Sequence, residues 1–296
     1  MTIFKQAASL NLQGRIFLRS GCRYVFIRLW WPFFWALAII SLSSGFGVMA
    51  EEIKIGGTGN ALGTMRLLGI AFNREHPDIQ VRVLNSIGSS GAIKAVPKGA
   101  IDIGLSSRPF SDEEGAAGVA VNEYARTLTV LAVAAKSQVK TISREQIADI
   151  YSGNYHLWPD GTPIRPVLRK QGDDNTRQLR ALSPAIEQAL EKANNRQGLP
   201  FAVTDQEAAE KIESIPGAIG VTTLALILSE GRALHPLTLD GIEPNVEKGI
   251  SGSYPIIKHF FMLTQPQPSA AVQEFMVFLH SPVGRDILIQ NGHWLP

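Results

Sequence analysis

Three segments of this chain share one layout: an apolar run of strand type, a turn of small polar residues, then a stretch of helical period. They are GGTGNALG at 56–63, SIGSSGAIK at 86–94 and LRKQGDDNT at 168–176. The preceding runs are IKI (53–55), IQVRVLN (79–85) and PIRPVLRK (163–170). The alternation continues along the chain. AIDIGLSS (100–107), TLTVLAVAA (127–135), GAIGVTT (217–223) and PIIKHFFMLT (255–264) read as strands. Helices are predicted over 61–75, 143–150, 175–183, 184–196, 204–212, 268–281 and 282–291, with a short one ending at Ser229. Strands alternating with helices predict an α/β fold with mainly parallel sheets. In such sheets ligands collect at the carboxyl ends of strands, where helix N-termini converge.

The turns carry chemistry as well as topology. The first N–H groups of a helix lack intrahelical partners and concentrate positive potential, which suits an anion. Small residues let a ligand approach the backbone, and hydroxyls add donors without charge. Arg169 supplies a planar fork matched to a tetrahedral oxyanion or a carboxylate. One such turn is ordinary helix capping; three in one α/β chain point to a convergent oxyanion site.

The ends of the chain differ in charge. The formal net charge over all 296 residues is +2. Residues 1–50 hold Lys5, Arg15, Arg19, Arg23 and Arg28 and no acid; removing those five leaves 23 basic against 26 acidic residues in 51–296. That balance excludes a nucleic-acid footprint for the main body. The basic stretch leads into LWWPFFWALAIISL (29–42) and then Val48-Met49-Ala50. A positive flank, a short apolar run and a small-x-small exit predict a secretory signal cleaved after Ala50, hence a periplasmic or otherwise exported protein; an uncleaved N-terminal anchor is the alternative. Cys22 is the sole cysteine and lies within the leader, so 51–296 has no disulfide, cysteine-ligated metal or cysteine nucleophile.

Enzyme signatures are missing where they would be needed. There is no P-loop. GTGNALG gives a loose dinucleotide-type turn, but the next strand ends at Asn85 and not at a ribose-binding acid. GSSG lacks the spacing of a nucleophile elbow. The six histidines are scattered and form no HExxH pair. No metal site, cofactor or catalytic residue is predicted.

At its turns the sequence resembles the periplasmic phosphate-binding proteins of ABC transporters and their wider substrate-binding family. The resemblance rests on GTGNAL, on IGSSGAIK followed by DIGLSSRPFSDEE, on Arg169-x-x-Gly172, on IPGAIGV and on the YPI strand, and it runs along most of 53–292. It implies a two-lobed type II periplasmic-binding-protein fold with ligand clamped between lobes joined by two crossover strands. Mapped here, one lobe combines 51–133 with 261–296, the other is 134–260, and TLTVLAVAA and PIIKHFFMLT are the crossovers. The family's ligand contacts carry over in part, its GSSG serine to Ser89 and the basic residue of the third turn to Arg169; the turns themselves add Gly59, Asn60 and Ala61, Ser90 and Gly91, Ser107 and Arg108, and Asp174 and Thr176 as candidate ligand contacts. Ser107 stands where the family has a carboxylate that accepts the proton of bound phosphate, and Ala61-Leu62 and Asp173-Asp174-Asn175 also depart from its pattern. Asp173 or Asp174 either replaces that acceptor or caps the following helix. The implied function is reversible capture of a small oxyanion, phosphate first, by a monomer that delivers it to an inner-membrane permease with a cytoplasmic ATPase. A sensor of the same fold, a binder of another polar solute, and a metal-dependent hydrolase using Asp173 and Asp174 are the alternatives.

Overall fold

The computed structural model describes residues 50–111, 114 and 118–296. The expected signal segment, apart from Ala50, lies outside the described residues, as do Asp112 and Glu113 of the SDEE turn. In chain order the elements are β1 (Glu51–Gly57), α1 (Gly59–Glu75), β2 (Ile79–Val83), α2 (Gly88–Ala95), β3 (Ile103–Ser106), β4 (Ala120–Ala134), β5 (Thr141–Ile142), α3 (Arg144–Ser152), β6 (Arg165–Pro166) and α4 (Asp174–Arg180). There follow α5 (Pro184–Asn194), α6 (Asp205–Ser214), β7 (Ala218–Thr223), α7 (Leu224–Ser229), β8 (Leu234–Pro236), β9 (Thr238–Leu239), α8 (Val246–Ile250), β10 (Ile257–Thr264), α9 (Ala270–Leu279) and α10 (Pro282–Gln290). The described residues form one compact unit.

Local chemistry accounts for most helix starts. Ser143 caps α3 in a reciprocal capping box with Gln146, and Ser183, Thr204, Ser269 and Ser281 each accept an N–H from the first turn of α5, α6, α9 and α10. Pro184 and Pro282 begin α5 and α10, where a missing N–H costs nothing.

The sheet runs β2-β1-β3-β10-β4-β7-β6, with β8 also on β4. Here the expectation of mainly parallel pairing needs correction. β1 pairs in parallel with β2 and β3, and β6 with β7, but β10 is antiparallel to both β3 and β4, and β4 is antiparallel to β7 and β8. The cause is connectivity: β4 carries the chain out of one half of the sheet and β10 brings it back, so the two strands run in opposite directions. The 127–135 strand prediction also fell short, because the segment from Ala120 is polar and partly exposed where it pairs with β10.

The long strand β4 joins two apolar cores. Tyr124 and Ala125 pack with Ile53, Leu62, Phe72, Phe260 and Phe275 in one; Leu128 and Val130 to Val133 pack with Ile147, Tyr151, Ile219 and Tyr254 in the other. A small cluster of Ala92, Ile93, Val96, Ile101 and Leu263 seats α2. The cores are not strictly segregated by chain position, since Ala225 belongs to the first and Trp294 to the second.

Candidate functional site

The turns after β1, β2 and β3 face the turn before α4 and the start of α6 across one cavity of about 440 Å³. Of the residues expected at a ligand, Asn60, Ser89, Ser90, Ser107, Arg108, Arg169 and Asp174 line it. Gly59, Ala61, Gly91 and Thr176 do not. Ala61 is completely buried in the first core. Gly91 sits under the Ile87 side chain, which a Cβ there would approach to 3.0 Å. Thr176 donates both its N–H and its hydroxyl to Asp173.

Gly59 serves a different purpose. It and Gly63 lie one helical turn apart on the α1 face that meets α6 and α7. A Cβ at Gly59 would overlap Gln206 Oε1 and lie 2.8 Å from Asp205 Oδ2; one at Gly63 would overlap Ser229 Oγ and lie 2.8 Å from Glu230 Cγ. The glycines of GTGNALG thus permit close contact between the two halves. Asn60 N–H donates to Asp205 Oδ2 (3.1 Å), Asn60 Nδ2 to Asn175 Oδ1 (3.4 Å), Thr223 Oγ1 to Asn60 Oδ1 (3.2 Å) and Gln206 Nε2 to the Gly59 carbonyl (2.8 Å).

The three helix starts are therefore not equivalent. At α1 the first-turn N–H of Asn60 is taken by Asp205. At α4 the N-cap Asp173 accepts from Thr176. At α2 the N-cap is Ile87, no side chain caps it, and Gly88, Ser89 and Ser90 line the cavity. Ser107 N–H donates to Ser89 Oγ (3.1 Å) and Thr58 Oγ1 to Ser107 Oγ (3.2 Å), so a chain of hydroxyls runs from β1 to α2. This wall offers uncapped backbone donors and rotatable hydroxyls, the groups that bind an anion without a compensating charge.

The opposite wall is ionic. Arg169 Nη2 donates to Asp173 Oδ1 (2.5 Å) and forms an ion pair with Asp205 Oδ1 (3.1 Å), while its Nε and Nη1 are buried without a protein partner. Behind it, Asp174 is bonded to Arg177 and to Lys258, a completely buried side chain on β10. Burial pushes the Asp205 carboxyl above the usual aspartate range; Arg169 pulls against that shift and Asp173 adds to it. On the first wall Arg108 is bidentate to Glu114, at 2.7 Å for both bonds, and that hydrogen bonding holds the Glu114 carboxyl down at about 2. Among the described residues, no group of three His, Cys, Asp or Glu side chains has the geometry to hold a metal ion.

Sequence reasoning missed Asp205, Thr58 and Lys258. Asp205 falls inside the helix predicted over 204–212. A signal was present, since FAVTDQEA (201–208) repeats the strand, polar turn and helix layout, and Phe201 forms a parallel bridge with Leu168. Lys258 sits inside an otherwise apolar strand run, where one lysine gives no hint of its partner.

Comparison with known proteins agrees with this architecture. The Bacillus subtilis phosphate-binding protein PstS is 23% identical over 227 residues, 75% of this chain and 73% of its own. A candidate phosphate ABC transporter substrate-binding protein from Clostridium perfringens, solved with bound phosphate, superposes with a TM-score of 0.71 at 23% identity, covering 83% of this chain and 100% of that one. An ABC-type phosphate transport receptor from Vibrio cholerae gives 0.56 at 18% identity, covering 83% and 100%. Both superpositions show a shared two-lobed fold. The model of the PBP superfamily domain matches residues 47–283, so the chain belongs to the PBP superfamily.

Proposed function

We propose that this chain is an exported solute-binding protein that captures phosphate reversibly between two lobes and presents it to an ABC transporter. The observation that carries the reading is the single cavity shared by the uncapped α2 N-terminus, the Ser89, Ser90 and Ser107 side chains and Arg169. Phosphate is the ligand because the PstS of Bacillus subtilis is named for it and the Clostridium perfringens structure holds it. A micromolar dissociation constant corresponds to about 8 kcal/mol, within the reach of several charge-assisted hydrogen bonds in a cleft that excludes water.

The lobes of this reading are 51–133 with 261–296, and 134–260; the two apolar cores follow that division in part, with Leu128, Val130 to Val133 and Trp294 packing in the second core and Ala225 in the first. Closure brings ligand donors from both walls together, so binding and closure are linked. Asp205, in place of the aspartates at 173 and 174, accepts the proton of bound phosphate: it lies between the Asn60 N–H and Arg169, the two donors that would otherwise draw a bare anion. A fixed carboxylate there favours an anion with a proton to donate and disfavours sulfate, which has none. The reading assigns no covalent step, and the protein acts as a monomer that a membrane permease recognises.

Calorimetric titration of residues 51–296, stripped of bound ligand, with phosphate, sulfate, molybdate and simple organic acids tests it. Saturable one-site heat with phosphate, at micromolar or tighter affinity and well above sulfate, is expected. No phosphate heat, or sulfate bound as tightly, overturns the reading.

A further inference from the structure

Arg108 was expected to reach the ligand, yet its guanidinium is already engaged. Nη1 and Nη2 donate to Glu114 Oε2 and Oε1, both at 2.7 Å; Nη1 also donates to the Pro109 carbonyl (3.0 Å) and Nη2 to Ser90 Oγ (3.1 Å). Glu114 is itself held in place: its Oε2 accepts from Ser111 N–H (3.1 Å), and its own N–H donates to Ser111 Oγ (3.3 Å). A fork-to-fork pair of this kind is the geometry in which an arginine binds a tetrahedral oxyanion. Arg108 and Ser90 line the cavity, so the Glu114 carboxylate takes up bonds that Arg108 would otherwise offer an incoming anion.

We infer that Glu114 is an internal competitor for Arg108 and a determinant of anion selectivity in this cleft. The inference rests on the reading of the cleft as an oxyanion site. An entering anion must displace Glu114 from Arg108 or bind without that arginine, and either way the neutral Arg108–Glu114 pair removes one positive charge from the ligand's surroundings. An anion of two full charges and no proton loses most by this, because it can offer the remaining carboxylates no hydrogen bond in return. Glu114 thus weakens oxyanion binding generally and sulfate more than phosphate.

The test is titration at pH 7 of the wild type, Glu114→Gln, Arg108→Ala, the double variant and Ser111→Ala with sodium phosphate and sodium sulfate. Glu114→Gln is expected to bind phosphate at least fivefold more tightly and sulfate by a larger factor, so that discrimination between them falls. In the Arg108→Ala background the same change should move either affinity by less than twofold. Ser111→Ala, which removes a hydroxyl that helps hold Glu114 in place, should shift phosphate affinity in the same direction as Glu114→Gln and by a smaller factor. Weaker or unchanged phosphate binding in Glu114→Gln, or a gain that persists without Arg108, overturns the inference. A wild type that takes up no phosphate overturns the phosphate reading alone. The sulfate arm then decides: sulfate bound by Glu114→Gln more tightly than by wild type retains the inference, and sulfate bound by neither refutes it.

Discussion

On the wall built from the first half of the chain, Thr58, Ser89 and Ser107 present neutral hydroxyls beside an uncapped helix start, and the arginine there is neutralised by Glu114. On the facing wall, Arg169, Asp173, Asp174, Asp205 and Lys258 are charged, largely buried and already paired. The difference sets what each wall contributes. Neutral donors keep spare hydrogen-bonding capacity and are cheap to lose. A buried ion network is costly to break, because removing one member strands an opposite charge away from water.

Arg169→Ala is the largest test of this contrast. Its loss leaves Asp173 and Asp205 without their shared cation and should lower stability by about 3–5 kcal/mol, read from urea unfolding midpoints. Phosphate affinity should fall at least tenfold. Unchanged stability would show that the two carboxylates relax into water and that the second wall is not an interlocked network.

The seam between the walls comes next. Gly59→Ala and Gly63→Ala should each cost about 1–3 kcal/mol through overpacking. Gly59→Ala pushes on Asp205 and so should also weaken phosphate binding, whereas Gly63→Ala, which meets Ser229 and Glu230, should leave it within a few-fold. Equal binding losses would mean that the seam, and not Asp205, governs the cleft.

The two walls should also differ in the sign of their pH dependence. Asp205 is raised, so between an ordinary aspartate value near 3.8 and its native one the folded chain holds the proton more firmly than the unfolded chain. Stability from this group therefore falls as pH rises through that window. Glu114 is lowered from 4.5 to about 2, so its contribution is present above 4.5 and lost as pH falls toward 2. Asp205→Asn is expected to remove the first slope and leave the second, checked by unfolding midpoints across the acid range. The smallest effect belongs to Ser89→Ala. It removes one acceptor of the Ser107 N–H, a change of about 0.5–1.5 kcal/mol, with a few-fold loss in phosphate affinity by calorimetry.

Much of the first wall was legible because its parts are local. A turn of glycine and serine between a strand and a helix fixes the direction of its own N–H groups, and GSSG at 88–91 did place Ser89 and Ser90 at the cavity. The same logic placed Asn60 of GTGNALG at the cavity but misread its glycines: local pattern does not say whether small residues admit a ligand or another helix, and at Gly59 and Gly63 it is the latter. Arg169 was found from its turn, but not its sharing between Asp173 and Asp205, which lie 4 and 36 residues away along the chain. Asp174 was weighed as a ligand acceptor or helix cap, and its bond to Lys258, 84 residues distant, had no sequence trace.

The alternation of strand and helix determined the α/β class, the positions of nearly all the long elements and the existence of polar turns at strand ends, because those follow from backbone geometry and side-chain periodicity over a few residues. Only the tertiary structure decided which strands run antiparallel, which helix start stays uncapped and which charges share a partner. Those outcomes depend on β4 and β10 bringing distant segments together. The energy of a buried charge is set by the groups around it in space and not by its neighbours along the chain.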